Sequence, residues 1–208
     1  MKTTIIFIRH GNSVANKKGI LAGTYDKGLT LKGKSQAKQV AKALKNTDID
    51  FVYASGLPRT IKTASYLAKA KKLPIHNEPR FSEFHFGDYE GASYKKTLEA
   101  GDPYLQTYVN DFINAAFPGG ESVRELIARF HQATLDLAKK HSGKTIAVVT
   151  HAVALGSFIA YVKEGDMEGL KKRILPANAS LTTVTVDENG KMEILSYNET
   201  AHLDRISH

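Results

Sequence analysis

Short apolar runs rich in β-branched residues alternate with amphipathic helical segments along this chain, and this alternation constrains the fold most. Buried strands are predicted at residues 3–8, 49–54 and 145–149, with a further extended piece at 74–77. Strands separated by helices favour parallel pairing with helices on both faces of the sheet. The sequence therefore predicts an α/β fold, a three-layer α/β/α sandwich around a mostly parallel central sheet.

The helical segments carry recognisable start signals. Thr30 is a plausible N-cap for a helix whose apolar residues recur at i, i+3, i+4 and i+7. Pro58 suits the first turn of a helix that reaches about residue 70. Ser122 and Glu125 have the spacing of a capping box, and they precede a strongly amphipathic stretch. A further helix is predicted over residues 152–162.

The last part of the chain predicts a hairpin. Apolar runs at 181–186 and 192–196 flank the turn residues Glu188-Asn189-Gly190. This hairpin should add an antiparallel strand at the C-terminal side of the sheet.

An aromatic-rich stretch interrupts the regular pattern at residues 93–117. It is broken by Gly101-Asp102-Pro103 and predicts two short helices. We interpret it as a small helical lid insertion at about 92–118 within a single domain that spans residues 1–208. The aromatic residues of such a stretch more often pack inside the fold than contact a substrate.

Composition excludes several classes of protein. The sequence has no cysteine, so disulfides, thiolate nucleophiles and cysteine metal sites are excluded. No run approaches the roughly 20 apolar residues that span a bilayer, and a cytoplasmic protein without membrane contact is expected. The formal net charge of +8 favours anionic partners. Nucleic acid is disfavoured because no recognisable nucleic-acid-binding motif is present.

Polar residues collect where the predicted strands end. The first strand runs into Arg9-His10-Gly11, and the strand at 145–149 runs into His151. A third strand leads to Arg59, near the start of a helix, whose free N–H groups suit a phosphate. In open α/β sheets ligands bind beyond the carboxyl ends of the strands. Two histidines and two arginines can therefore meet there.

Five sequence blocks in order resemble the histidine phosphatase superfamily, also called the phosphoglycerate mutase-like family. The resemblance covers nearly the whole chain. The blocks are Arg9-His10-Gly11-Asn12-Ser13 with Asn16; Leu29-Thr30-x-x-Gly33-x-x-Gln36-Ala37; Ser55-x-Leu57-x-Arg59-Thr60-x-x-Thr63-Ala64; Glu83 within Phe81-Ser82-Glu83-Phe84-His85-Phe86-Gly87-x-Tyr89-Glu90-Gly91, followed by Gly120-Glu121-Ser122; and Val149-Thr150-His151-Ala152. In the last block Ala152 departs from the glycine that is common after the second histidine.

The resemblance implies a role for each matching residue. His10 is expected to be the nucleophile that accepts the phosphoryl group, and Glu83 the proton donor to the leaving oxygen. The rest of the phosphate pocket is expected to consist of Arg9, Arg59, His151 and Asn16. The resemblance implies no cofactor and no metal.

The physical chemistry of phosphoryl transfer agrees with these roles. Arginine can hold phosphoryl oxygens by forked hydrogen bonds. A histidine must be unprotonated to attack, and neighbouring cations disfavour its protonated form. The phenylalanines around Glu83 favour the neutral carboxyl that a proton donor requires.

Several residue roles stay open. Asp88 or Glu90 competes with Glu83 for the acid role, and Asn16 has an alternative role as the cap of a turn. His151 has an alternative as a structural core histidine. The roles of Thr24 and His85 are undecided. Glu121 and Ser122 are interpreted as helix-starting residues.

The expected function is hydrolysis of small phosphate monoesters through a phosphohistidine on His10. The partner is a small phosphorylated metabolite, and the choice between monomer and homodimer is open. One alternative is a cofactor-dependent phosphoglycerate mutase. It is disfavoured because the acid stretch lacks an arginine after Glu83 and the lid offers only Lys95 and Lys96. The other alternative is a module that binds a phosphorylated ligand without turning it over.

Overall fold

A computed structural model describes residues 1–203. Six strands and seven α-helices follow one another along the described chain: β1 Thr3–Arg9, α1 Val14–Lys18, α2 Leu31–Ala43, β2 Phe51–Ala54, α3 Pro58–Lys71, β3 Ile75–Asn77, α4 Tyr94–Glu99, α5 Pro103–Asn110, α6 Val123–Lys140, β4 Thr145–Thr150, α7 Ala152–Glu164, β5 Leu181–Val186 and β6 Met192–Glu199. Short 3₁₀ helices lie at Pro79–Phe81, Gly87–Tyr89, Phe112–Asn114 and Glu168–Lys172.

The strands form one sheet in the order β3-β2-β4-β1-β5-β6. The first four are parallel, whereas β5 pairs antiparallel with β1 and β6 antiparallel with β5. The predicted α/β class, the mostly parallel sheet and the antiparallel C-terminal addition are therefore confirmed. Because β1 and β4 are neighbours in the middle of the sheet, their carboxyl ends lie side by side, with Arg9 opposite Thr150.

Both faces of the sheet are buried, as the unbroken apolar runs predict. Alternate residues of β1 point to opposite faces, so Ile5 and Phe7 join one core cluster and Ile6 and Ile8 the other. The first cluster is covered by α6 and α7, and the second by α2 and α3. These layers form the predicted sandwich.

The loop after β1 packs tightly against the start of α2. A Cβ placed on Gly11 would overlap the carbonyl oxygen of Gly33, and one on Gly33 would overlap that of Asn12. Two glycines therefore allow the backbones to touch and fix the loop that follows His10. The short helix α1 in this region was not predicted, because five residues are too few to show apolar periodicity.

The segment predicted as a lid contains α4, α5 and the 3₁₀ helix Phe112–Asn114. Most of its aromatic side chains are buried in a cluster with Phe84 and Phe86. Ring centroids within the cluster lie 5.3 to 6.3 Å apart for Tyr108, Phe112 and Phe117. The stripe is therefore mainly packing. Whether the segment opens and closes as a lid stays a prediction.

Candidate active site

A cavity of about 460 Å³ lies at the carboxyl ends of the central strands. Five of the six residues predicted for the phosphate site line it: Arg9, His10, Asn16, Arg59 and Glu83. The sixth, His151, is fully buried directly behind His10. The two imidazole rings meet edge to face, with their centroids 5.2 Å apart. Parallel neighbouring strands thus bring together residues 141 positions apart in sequence.

The proton position on His10 follows from its hydrogen bond. Its Nδ1 lies 2.8 Å from the carbonyl oxygen of Gly11. Because a carbonyl can only accept, Nδ1 carries the hydrogen and Nε2 keeps a free lone pair. Burial, and then the guanidinium groups of Arg59 and Arg9, hold the pKa of His10 well below its ordinary value. His10 is therefore a neutral imidazole with an unprotonated Nε2.

His151 is held by a chain of hydroxyl groups. Its Nε2 lies 2.7 Å from Ser55 Oγ, which lies 3.0 Å from Thr60 Oγ1. Thr60 Oγ1 donates its hydrogen to the carbonyl oxygen of Leu57 at 2.8 Å. The Ser55 hydroxyl must then donate to Thr60 and accept from His151. The hydrogen of His151 therefore sits on Nε2, and Nδ1 presents a lone pair.

The Nδ1 atom of His151 faces a cation. Arg59 Nε donates to it at 3.2 Å. Burial comes first in lowering the pKa of His151 well below its ordinary value, followed by the charges of Arg59, His10, Arg129 and Arg9. His151 is therefore buried and hydrogen-bonded, and it also contacts His10 and Arg59; its role stays a prediction.

Arg59 is 2 % exposed, and the protein itself occupies most of its donors. Nη2 donates to the carbonyls of Ala22 and Gly23 at 2.9 and 2.7 Å. Nη1 donates to the Tyr25 carbonyl at 3.0 Å and to Asp26 Oδ2 at 2.9 Å. Nε donates to Nδ1 of His151. The predicted fork of Arg59 on a phosphate is therefore not available in this geometry, because its two amino groups are already bound.

Arg9 retains free donors. Its Nη1 donates to the Pro176 carbonyl at 2.6 Å, whereas its buried Nε has no hydrogen-bond partner among residues 1–203. A buried N–H without a partner is costly. An anion in the cavity would satisfy it.

Asn16 serves as a cap and also lines the cavity. Its Oδ1 accepts from the Ser13 N–H at 3.1 Å, completing a capping box at the start of α1. The same oxygen accepts from Asn178 Nδ2 at 3.0 Å. Both bonds use the oxygen, so the Asn16 amino group remains available to an anion. Capping and phosphate contact are compatible.

Glu83 lies at the N-terminus of α7. Its carboxylate accepts from the backbone N–H of Val153 at 3.1 Å, of Ala154 at 2.8 Å and of Phe84 at 3.0 Å. Three backbone N–H groups thus hold the Glu83 carboxyl group at the wall of the cavity. Only the neighbouring phenylalanines were visible in the sequence, and these donors were not.

The competing residues lie elsewhere. The Glu90 carboxylate accepts four backbone N–H groups and does not line the cavity. Asp88 is exposed, and it does not line the cavity either. Thr24 is exposed, and neither Thr24 nor His85 is among the lining residues. The geometry therefore favours Glu83 among the carboxylates considered.

Sequence reasoning missed three residues that shape this site. Asp26 accepts from both the backbone N–H and the guanidinium of Arg59. Ser55 fixes the proton of His151. Asn178 donates to the His10 carbonyl and to Asn16. Only Ser55 carried a signal, since it stands four residues before Arg59 in the same block.

Outside the phosphate pocket the cavity walls are mostly apolar. Ile20, Leu21, Phe86 and Leu175 contribute to them, together with Tyr94, which is 37 % exposed. Among the described residues that line this cavity, Arg9 and Arg59 are the only cations. The region that would receive the leaving group therefore offers no positive charge of its own.

Within the described chain there is neither a metal-binding cluster nor a membrane-spanning helix. No group of three or more histidine or acidic residues between positions 1 and 203 is arranged to hold a metal ion. Within the same range, no helix combines the length and the apolar character needed to cross a bilayer.

Comparison with known proteins defines the class. The model of the histidine phosphatase superfamily (branch 1) matches residues 5–200. The chain belongs to this superfamily.

Two relatives and one solved structure illustrate the range of the family. Phosphoserine phosphatase 1 of Hydrogenobacter thermophilus is 30% identical over 199 residues, covering 96% of this chain and 93% of that protein. The "probable phosphoglycerate mutase GpmB" of an Enterobacter species is 30% identical over 185 residues, covering 89% and 86%. The crystal structure of phosphoserine phosphatase from Entamoeba histolytica in complex with 3-phosphoglyceric acid is similar with a TM-score of 0.84 and 29% identity, covering 97% and 99% of the two chains.

Proposed function

We propose that this chain hydrolyses small phosphate monoesters through a phosphohistidine intermediate on His10. The observation that carries the proposal is the state of His10. It is a neutral, buried imidazole whose unprotonated Nε2 lies in a cavity with two guanidinium groups. A nucleophile beside paired cations is what attack on a phosphate dianion requires.

In the first step His10 Nε2 attacks phosphorus, and the bond from phosphorus to the ester oxygen breaks. The departing oxygen takes a proton from the Glu83 carboxyl group, so that an alcohol leaves. In the second step water attacks the phosphohistidine and gives its proton to the Glu83 carboxylate. Phosphate leaves, and His10 and Glu83 return to their starting states.

Charge that develops on the phosphoryl oxygens is stabilised by donors already in place. Arg9 supplies its unpartnered Nε and its free amino hydrogens, and Arg59, whose own donors are bound within the protein, adds its positive charge at the cavity wall. The Asn16 amino group adds a neutral donor at the same cavity. Because hydrogen bonds within the protein already hold these side chains before the reaction, they need little reorganisation as charge builds up.

We propose that the preferred substrates have uncharged, partly apolar leaving groups. The walls formed by Ile20, Leu21 and Phe86 fit an apolar alcohol, and no cation beyond the phosphate pocket is available for a carboxylate. This favours hydrolysis over the alternative of a phosphoglycerate mutase. That alternative has support from the relative that bears the mutase name, but a mutase must hold the phosphoglycerate until the phosphoryl group returns to it.

Hydrolysis of p-nitrophenyl phosphate in the presence of EDTA tests the activity and its metal independence. Alkyl phosphates, phosphoserine and 3-phosphoglycerate then test the leaving group. We expect turnover with EDTA present, loss of turnover in His10→Ala, and kcat/KM highest for the apolar esters. His131→Ala, which changes a histidine on α6, is the matched control.

Tight phosphate binding without turnover at any pH would support the non-catalytic module instead. Transfer of phosphate between phosphoglycerates faster than its release to water would support the mutase. A location in the cytoplasm remains part of the proposal, to be tested by fractionation.

A further inference from the structure

The loop formed by residues 22–26 lies between the carboxylate of Glu90 and the guanidinium of Arg59. On one side Glu90 accepts hydrogen bonds from three successive backbone N–H groups of this loop. The distances are 3.0 Å from Gly23 and 2.8 Å from Tyr25 to Oε2, and 3.0 Å from Thr24 to Oε1. Oε1 also accepts from the Phe86 N–H at 3.0 Å. Four backbone donors therefore converge on one carboxylate.

On its other side the same loop faces Arg59. The carbonyls of Ala22, Gly23 and Tyr25 and the Asp26 carboxylate accept the four hydrogens of its two amino groups. Backbone N–H groups thus point at the anion and carbonyls at the cation. This orientation of the peptide dipoles is favourable at both ends, and it locks the loop against both side chains.

The loop has little room to move. A Cβ placed on Gly23 would overlap the Phe84 carbonyl oxygen and Glu90 Oε1. Glycine at this position therefore lets the loop approach the carboxylate closely. The remaining hydrogen of the Arg59 guanidinium, on Nε, is donated to Nδ1 of His151.

We infer that Glu90 is a positioning residue that acts through the loop 22–26 to fix the orientation of Arg59 against His151 at the phosphate pocket. The inference rests on the proposed function and adds the device that orients one of its two arginines. Without Glu90 the loop carbonyls would lose their fixed direction, and the Arg59 amino groups would no longer be held away from the pocket.

A double-mutant cycle between Glu90 and Arg59 tests this coupling. The glutamine side chain of Glu90→Gln replaces one acceptor oxygen by a donor, so two of the four N–H groups lose their partner. We expect kcat for p-nitrophenyl phosphate to fall roughly tenfold to a hundredfold, less than the loss of about 10²- to 10³-fold on deleting a direct transition-state donor. In an Arg59→Lys background the same change should alter kcat less than about twofold, because its target is gone.

Asp50→Asn is the matched control. Asp50 also accepts a backbone N–H, that of Thr145 at 2.9 Å, but at the opposite end of the strands. The Asp50→Asn variant should have a lower melting temperature and an unchanged kcat. If the losses of kcat in Glu90→Gln and Arg59→Lys simply multiply in the double variant, the inference is overturned. A Glu90→Gln variant that loses stability but keeps native kcat would overturn it as well.

A binding measurement separates this inference from the proposed function. Addition of inorganic phosphate should shift the ¹⁵N–¹H resonance of Arg59 Nε in the native protein, and Glu90→Gln should reduce that shift. If phosphate shifts the Arg59 Nε resonance of Glu90→Gln as much as that of the native protein, the positioning role is contradicted, even if this variant does not turn over substrate. If the native protein hydrolyses no monoester, the proposed function fails, and the phosphate titration still decides the role of Glu90.

Discussion

At the residue scale, the two histidines of the cavity carry their hydrogens on opposite ring nitrogens. His10 donates from Nδ1 to a carbonyl and keeps the Nε2 lone pair, whereas His151 donates from Nε2 to Ser55 and keeps the Nδ1 lone pair. Nδ1 of His151 accepts the Nε–H of Arg59 at 3.2 Å, so a hydrogen bond on each side of the ring holds this tautomer.

Replacing Ser55 tests this proton arrangement. Ser55→Ala removes the acceptor of His151 Nε2–H, so one of the two hydrogen bonds that hold the ring in one tautomer is lost. We expect kcat to fall about 10- to 100-fold, by analogy with metal-binding imidazoles that lose their outer hydrogen-bond partner. The ¹⁵N shifts of His151 should change from one tautomer to a mixture, and Ser55→Thr should restore both readouts.

Ser157→Ala provides the control for this prediction. Ser157 is also fully buried, on α7, and its hydroxyl has no hydrogen-bond partner within residues 1–203. Its removal should leave kcat within about twofold of the native value, because no hydrogen bond is lost with the hydroxyl. Equal effects of the two serine variants would contradict a specific role for Ser55.

The proton donor is tested by the dependence of rate on the leaving group. Glu83→Gln keeps the shape of the side chain but cannot give a proton. Alkyl phosphates, whose alkoxides leave poorly, should slow by about 10²- to 10⁴-fold, and p-nitrophenyl phosphate, whose phenolate needs no proton, far less. Equal slowing of both substrates would remove Glu83 from the acid role.

Sequence reasoning placed the chemical groups of the site but not their hydrogen-bond partners. Arg9, His10, Arg59, Glu83 and His151 each stand at the end of a strand, the start of a helix or within a motif. Two of the three backbone donors on Glu83 could not be predicted, because they come from α7, 70 and 71 residues further along the chain. The roles assigned to these five side chains remain predictions.

At the element scale, helix α6 positions the segment that carries Glu83. Arg129 donates from this helix to the carbonyls of Arg80, Ser82 and Glu83 at 2.7 to 2.9 Å. Its guanidinium is held in turn by Glu121, at 2.6 and 2.8 Å. One arginine thereby ties a long helix to the irregular chain before Phe84.

Arg129→Met should loosen this segment. Three carbonyls and the Glu121 carboxylate would lose their donor, so we expect the free energy of unfolding to fall by about 2–3 kcal/mol. Urea unfolding measures that loss, and kcat should fall with it because Glu83 is no longer held. Arg124→Met, at an exposed arginine in the first turn of α6, should change neither value. Native stability in Arg129→Met would contradict the account.

The elements were predictable to the extent that they are long or periodic. The capping box at Ser122 and Glu125 appears as predicted, and Thr30 caps α2 by accepting from the Gly33 N–H. The four 3₁₀ helices and α1 were not foreseen, since each has five residues or fewer. Strand order was also beyond the sequence, because it depends on contacts between β1, β4 and β5 that are far apart along the chain.

At the scale of the whole molecule, neutral buried histidines make stability depend on pH. The folded-state pKa values of His10 and His151 are lowered, chiefly by burial, from about 6.5 in the unfolded chain. His131 and His141 are shifted in the same direction by burial. Below about pH 6.5 the unfolded chain binds protons that the folded protein does not, so stability falls as pH falls.

We therefore expect the urea midpoint to drop steadily from pH 7 to pH 5, before most carboxylates titrate. The variant His10→Gln/His151→Gln removes the two most buried contributors, and its midpoint should depend less on pH over this range. A native midpoint that stays constant from pH 7 to pH 5 would contradict the neutral, buried state of these imidazoles.

The central claim is that phosphate passes through His10, and rapid quenching during turnover tests it most directly. Native protein mixed with p-nitrophenyl phosphate and quenched in alkali should carry phosphate on Nε2 of His10, detected by mass spectrometry of the peptide and lost on acid treatment. Glu83→Gln should accumulate more of this adduct when dephosphorylation slows. Steady hydrolysis with no phosphate on His10, or with the phosphate on His151 instead, would contradict the account.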